Sequence, residues 1–233
     1  MAKKVFLGVG HGGSDSGAVG YLTEKTVNLA MAKACRDELE RHGVLVLMSR
    51  TKDENDDLNE EIRECNAFKP DLAVDVHNNA GGGDGFECYY HVGGGTSKTL
   101  AANIEAEVKK IGQNSRGCKT RVGVGGTDYY GFIRETTCPA IIVEGVFVDS
   151  KADAAQADTL KEQQAFGVAY AKGILKTLGI AYKEPTAEKK PAAAASSGKT
   201  YKVQVGAYKS KANAEAQLAK IKKAGFDAVI VTG

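Results

Sequence analysis

The sequence has no tryptophan, no C-x-x-C pair and no run of about 18 apolar residues. The last absence excludes a membrane-spanning helix. Five cysteines, Cys35, Cys65, Cys88, Cys118 and Cys138, stand at long spacings in odd number. That argues against a disulfide framework or a thiolate zinc site and predicts buried thiols in a chain folded under reducing conditions. Net charge is nearly absent too: 31 Lys and Arg against 29 Asp and Glu leave +2. So small a balance gives no phosphate-facing field and excludes nucleic acid as a partner, although a pI near 8.2 allows weak attraction to an anionic surface. The apolar run Val5–Val9 follows Met1-Ala2-Lys3-Lys4 directly, is too short for a secretory core and has no cleavage site. This predicts synthesis in the cytoplasm without a signal peptide, any export needing another route.

What is present is a chain of 233 residues with 42% hydrophobic and 26% charged residues, the balance of a globular protein. Its composition breaks once, at 181–199, a stretch of Ala, Lys, Glu, Pro, Ser and Gly with Pro185 and Pro191 at its front and Ser-Ser-Gly behind. It reads as a flexible linker whose ends lie roughly 25 Å apart, joining a main domain at 1–180 to a tail module at 200–233.

In the main domain short apolar runs alternate with amphipathic ones. Val5–Val9, Val44–Met48, Leu72–Val76, Gly85–His91 and Ala140–Val146 read as strands, and Glu24–His42, Asp57–Phe68, Ser97–Ile111 and Thr159–Leu178 as helices. Thr23 is placed to cap the first helix and Gly43 to stop it. The pattern predicts an α/β fold: a central, mostly parallel twisted sheet flanked by helices. The stretch 113–137, rich in Gly, Arg and Tyr, reads as a loop.

Reactive groups in such sheets gather beyond the carboxyl ends of strands. His11 follows the first strand within Gly10-His11-Gly12-Gly13, and His77 follows Leu72–Val76. Glu144 stands in the last strand, and Glu24 opens the first helix. Two imidazoles and a carboxylate suit a catalytic zinc ion, with a second carboxylate as base, so His11, Glu24 and His77 are candidate ligands and Glu144 the candidate base. The spacings match no short local motif, and a lone histidine after a strand is more often structural than a ligand. A phosphate loop is disfavoured, since no phased G-x-G-x-x-G and no G-K-[ST] is present. His42 reads as a helix-end residue and His91 as a surface one.

Several ordered motifs carry a resemblance: Val9-Gly10-His11-Gly12-Gly13-Ser14-Asp15-Ser16-Gly17-Ala18 with Glu24, Asn28 and Leu29; His77-Asn78-Asn79-Ala80; Gly85-Phe86-Glu87-Cys88-Tyr89-Tyr90; and Pro139-Ala140-Ile141-Ile142-Val143-Glu144-Gly145-Val146-Phe147. Together they resemble the zinc-dependent N-acetylmuramoyl-L-alanine amidases of the amidase 3 family. The resemblance implies hydrolysis of the amide between N-acetylmuramic acid and L-alanine in peptidoglycan, with its glycan strand and stem peptide as partners. It puts zinc on His11, Glu24 and His77 and the catalytic glutamate at Glu144. Asp75 departs from the family's usual serine; strand alternation puts it on the face of His77, where it either orients that ligand or is merely tolerated. Asn79 and Arg134 are candidate substrate contacts, as are Arg121, Asp128 and Tyr130, which as solvated loop residues need no function. A wall substrate without a signal peptide suits an endolysin released by a holin-type route, with a bacterial autolysin or a non-catalytic wall-binding protein as alternatives.

The tail reads as strand–helix–strand, its helix near 211–224. Tyr201, Val203, Gln204, Gly206, Ala207, Tyr208, Ala214 and Leu218 resemble the start of a SPOR repeat, which implies a peptidoglycan-binding module of half the usual length. So small a unit is truncated, pairs with a second copy as a dimer, or docks on the main domain.

Overall fold

Strand β1 (Lys4–Val9) shows no polar alternation because both its faces are buried: Val5, Leu7 and Val9 face one hydrophobic layer and Phe6 the other. The same holds for β3 (Leu72–Asn79) and β6 (Ala140–Phe147) at the centre of the sheet. The computed structural model describes residues 2–185, 206–208, 210–223 and 228–231. The main sheet has six strands in the order β2-β1-β3-β6-β4-β5, with β2 at Leu45–Met48, β4 at Phe86–Tyr90 and β5 at Ser115–Lys119. The first four run parallel; β4 is antiparallel to β6, and β5 runs parallel to β4.

Helices α1 (Glu24–Arg41), α3 (Gly95–Lys110) and α6 (Leu160–Thr177) cover one face, around Leu7, Val74, Val143, Met31, Ile104 and Tyr170. The shorter α2 (Leu58–Phe68) and α4 (Gly131–Glu135) cover the other, around Phe6, Ala73, Ile142, Cys65 and Phe132. A further short helix, α5 (Lys151–Ala154), follows β6. Helix α6 packs against both α1 and α3. It can do so because Gly167 lies against the Met31 carbonyl of α1 and Gly173 against the Ile104 backbone of α3.

The expected strands and helices are present, and the differences are local. Thr23 occupies the position before α1 but makes no side-chain cap, whereas Asp57 accepts from Asn59 N–H and Glu60 N–H at the start of α2, and Thr159 with Glu162 forms a capping box at α6. His77 lies inside β3 rather than beyond it, because the strand continues to Asn79. The stretch read as a loop contains edge strand β5, whose Ser-Arg-Gly-Cys-Lys lacks an apolar signature because one edge and part of a face meet solvent. All five cysteines are free; Cys35, Cys65 and Cys88 are buried and Cys118 and Cys138 half-buried.

The chain divides into Met1–Glu184 and Pro185–Gly233. Residues 181–184 belong to the first unit: Tyr182 stacks on His42, and Arg41 hydrogen-bonds the Lys183 carbonyl. In the second unit α7 spans Lys211–Lys223. The two tail strands and most of the linker fall largely outside the described residues; 206–208 and 228–231 have no regular structure. Among the described residues no helix is long and apolar enough to cross a membrane.

The close α1–α6 approach makes Gly167 testable. A Cβ there would stand 2.2 Å from the Met31 carbonyl oxygen. Alanine gains about 1 kcal/mol of helix propensity but forces two backbones apart, which costs about 1–3 kcal/mol. Gly167→Ala therefore lowers the urea midpoint; an unchanged or higher midpoint contradicts this packing.

Candidate metal centre

Four elements deliver the site. β1 ends at Val9, and the chain turns through Gly10 into His11, whose φ of 63° is left-handed, a conformation held at a cost of about 1–3 kcal/mol in non-glycine residues. Gly10 is required sterically: a Cβ there would stand 2.1 Å from the His77 ring. The fully buried Arg50 fixes this turn by donating to the carbonyls of Val9, Gly10 and Lys25. Asn28 donates to the Gly10 carbonyl at 2.8 Å and accepts from Asn78, whose Oδ1 accepts the Val146 N–H. A buried amide network thus ties the ends of β1, β3 and β6 to α1.

Within that frame His11, Glu24 and His77 each offer a ligand atom, all within 4.8 Å of one another. Glu24 Oε1 lies 3.3 Å from His11 Nε2 and 3.0 Å from His77 Nδ1, and the two rings meet edge to face at 5.1 Å. The outer ring nitrogens face carboxylates: His11 Nδ1 is 2.8 Å from Asp15, and His77 Nε2 is 3.2 Å from Asp75. Carboxylate-backed imidazoles beside a third carboxylate are the donor set of a divalent zinc centre, and these residues fit that ion. A cavity of about 370 Å³ adjoins the pair of histidines, walled by Asp56, Glu61, Asp75, Tyr130 and Phe132.

Glu144 pairs in register with His77 on the neighbouring strand and with Glu87 on the other side. Its Oε2 is buried without a hydrogen-bond partner. Three carboxylates in one row or beside it thus meet three environments. Burial would raise Glu24, but hydrogen bonds to His11 and His77 outweigh it and hold this acid below the usual carboxylate range. Burial also opposes ionisation of Glu87, yet Lys119 and Arg116, at 2.6 and 2.5 Å, keep it low. Glu144 has no such partner, and burial pushes it up to about 7. His11 is raised by its hydrogen bond to Glu24. His77 is raised as well: burial opposes its charge, but Asp75 and Glu24 prevail.

Other expected site residues lie elsewhere. Asn79, at the end of β3, donates to Glu87 Oε2 at 3.2 Å. Arg134 donates to the carbonyls of Asp128 and Tyr129 and lines a separate depression of about 260 Å³ with His91. Arg121 stacks on the Tyr129 ring at 3.7 Å. His91 pairs with Asp128, and His42 bridges the Glu38 carbonyl and the Lys183 N–H. The role of Arg50 has only a charged side chain just beyond an apolar run as its sequence signal; Asn78 stands within a resemblance motif, but nothing in the sequence shows that it links β6 to α1.

Residues 5–176 match the N-acetylmuramoyl-L-alanine amidase family, and residues 197–233 match the SPOR domain. The chain belongs to that amidase family. It is 35% identical over 233 residues to the sporulation-specific N-acetylmuramoyl-L-alanine amidase of Bacillus subtilis (strain 168), covering 98% of this chain and 84% of that protein. It is 36% identical over 221 residues to the endolysin of Bacillus phage SPP1, covering 88% and 77%. Among solved structures, Cwp6 from Clostridium difficile superposes with a TM-score of 0.75 at 37% identity, over 76% of this chain and 30% of that one. The catalytic domain of the amidase CwlV from Bacillus (Paenibacillus) polymyxa gives 0.69 at 29% identity, over 77% and 99%.

The environment of Glu144 sets a pH signature in the metal-free protein. Its folded value near 7 lies above the unfolded one near 4.3, so the stability from its neutral form is complete below about pH 4.3 and lost as pH rises through 7. Glu144→Gln removes that loss. Relative to wild type it gains up to about 3 kcal/mol between pH 4.5 and pH 8, measured by urea denaturation in chelator. A difference independent of pH contradicts the assignment.

Proposed function

We propose that this amidase holds zinc on His11, Glu24 and His77 and there hydrolyses the amide joining the lactyl group of N-acetylmuramic acid to L-alanine in peptidoglycan. The observation that carries the reading is the convergence of three ligand atoms within 4.8 Å, one strand away from a buried, unpaired carboxyl oxygen of Glu144. Bound there, zinc acts as a Lewis acid toward the scissile carbonyl and lowers the pKa of water.

The side chains do the rest. Glu24, held ionised, offers negative charge to the cation. Asp15 and Asp75 keep the outer N–H of each imidazole and leave His11 Nε2 and His77 Nδ1 facing inward. Glu144 takes the proton that water loses on adding to the carbonyl and passes it to the L-alanine nitrogen as the C–N bond breaks; a proton affinity near neutrality suits both transfers. The Tyr130 wall, set by Arg134 through the carbonyls of Asp128 and Tyr129, borders the cavity that adjoins the ligands. The SPOR match at 197–233 supports a second contact with the wall, which raises the local concentration of substrate.

Glu144→Gln retains zinc and lowers kcat by about 10²–10⁴, read as new L-alanine amino termini released from purified peptidoglycan. His77→Ala loses the stoichiometric zinc. Full activity in the first variant or full zinc in the second overturns the assignment. Deleting 185–233 weakens co-sedimentation with purified sacculi while leaving the zinc content intact; unchanged sedimentation removes the tail from wall binding.

A further inference from the structure

Six of the seven arginines already have partners for their charge or their donors. Arg36, Arg41, Arg63, Arg116 and Arg134 each meet a carboxylate, and the buried Arg50 gives its donors to carbonyls. Arg121 is exposed and makes no ion pair among the described residues. Its guanidinium lies 3.7 Å over the Tyr129 ring and 5.6 Å from the centre of the Tyr130 ring. Its side chain donates to Tyr130 Oη at 3.4 Å and to no other described residue. Stacking holds a guanidinium by its face and leaves the fork of N–H donors at its edge for a planar anion.

The surroundings hold this cation in place. Residues 121–129 form a tight hairpin in which Val122 bridges to Asp128 and the Tyr129 N–H donates to the Arg121 carbonyl at 2.8 Å. Asp128, 3% exposed, fixes the base of the hairpin by accepting the Val92 N–H and pairing with His91. Arg134 adds its bonds to the carbonyls of Asp128 and Tyr129. Tyr130 packs on Tyr89 of β4 at 4.8 Å. Little side-chain freedom is left for Arg121 to lose on binding.

Tyr130 also ties Arg121 to the metal centre, because it lines the same cavity as His11 and His77. The other ionisable walls of that cavity are acids, Asp15, Asp56, Asp57, Glu61 and Asp75, with no Lys or Arg among them. An anionic substrate is repelled by such walls and needs a positive charge at the rim. A stem peptide is anionic: the residue after L-alanine carries a free carboxylate unless it is amidated. Two extended residues span about 7 Å, so this carboxylate falls toward the rim when the scissile carbonyl is at the ligands.

We propose that Arg121 is a specificity-determining residue: its guanidinium takes the free carboxylate of the residue after L-alanine in a two-pronged pair, so that the enzyme favours stem peptides with an acid there over those with the carboxamide. This rests on the reading of the cavity beside His11, Glu24 and His77 as the place where the amide is cleaved. The carboxamide keeps the shape of the group and removes its charge.

The test uses two soluble muropeptides that differ only in that carboxylate or carboxamide, with the full-length wild type and Arg121→Gln. Wild type cleaves the acid with a kcat/KM about 5–30-fold higher, through KM, and in Arg121→Gln the ratio falls to about 1. Raising salt from about 50 to about 500 mM narrows the wild-type ratio, as screening of an exposed pair requires. Equal efficiency on both peptides in wild type, or a ratio that survives in Arg121→Gln, overturns the inference. Dissociation constants of the two peptides with the metal-free protein, by calorimetry, make the same comparison without catalysis. A zinc-loaded wild type that cleaves neither peptide but binds the acid more tightly overturns the amidase reading and leaves Arg121 its role; cleavage of both without discrimination removes Arg121 alone.

Discussion

The oxygen Oε1 of Glu24, buried at the mouth of α1, accepts from the Asn78 N–H while facing Nε2 of one imidazole and Nδ1 of another. An ionised carboxylate so placed is costly unless cations or donors surround it. Much of the surrounding structure meets that requirement. Gly10 lets the His77 ring lie against the backbone, and Arg50 clamps the turn that aims His11. The Asn28–Asn78 pair locks the ends of three strands to the helix that supplies Glu24. Removing any of these groups leaves a buried polar atom unpaired, which is why they form one network rather than a set of independent contacts.

The sheet then sorts its acids by neighbour. Glu87 and Glu144 are partners across β4 and β6, yet one is neutralised by Arg116 and Lys119 and the other makes no ion pair among the described residues. The charge of Glu87 adds to the burial that disfavours ionisation of Glu144. One carboxylate fit to hold a cation and another fit to exchange a proton near neutral pH is the division of labour that amide hydrolysis at a metal requires.

Much of this was legible in the sequence, for identifiable reasons. Strands buried on both faces announce themselves as apolar runs; reading past two of them reached His11 and His77, while Glu24 opens the helix after the first and Glu144 stands inside the last. Illegible parts depend on partners distant in the chain. Edge strand β5 is polar and becomes a strand only by pairing with β4, and α4 is too short to show a period. The amphipathic pattern of α2 marks Ile62 and Cys65 as inward but gives no sign that Glu61 turns inward with them, since what receives it is Asp75 over Gly8. Arg50, Asn28 and Asn78 are polar residues in the interior, and a hydrophobic pattern is blind to them.

The account stands on the identity of the atoms around the ion, and X-ray absorption at the zinc edge of the loaded, full-length protein reads them directly. It predicts a shell of nitrogen and oxygen at about 2.0–2.2 Å with the multiple-scattering signature of two imidazoles. Sulfur at about 2.3 Å, or a spectrum without imidazole scattering, would place the metal on other side chains and contradict the site built here.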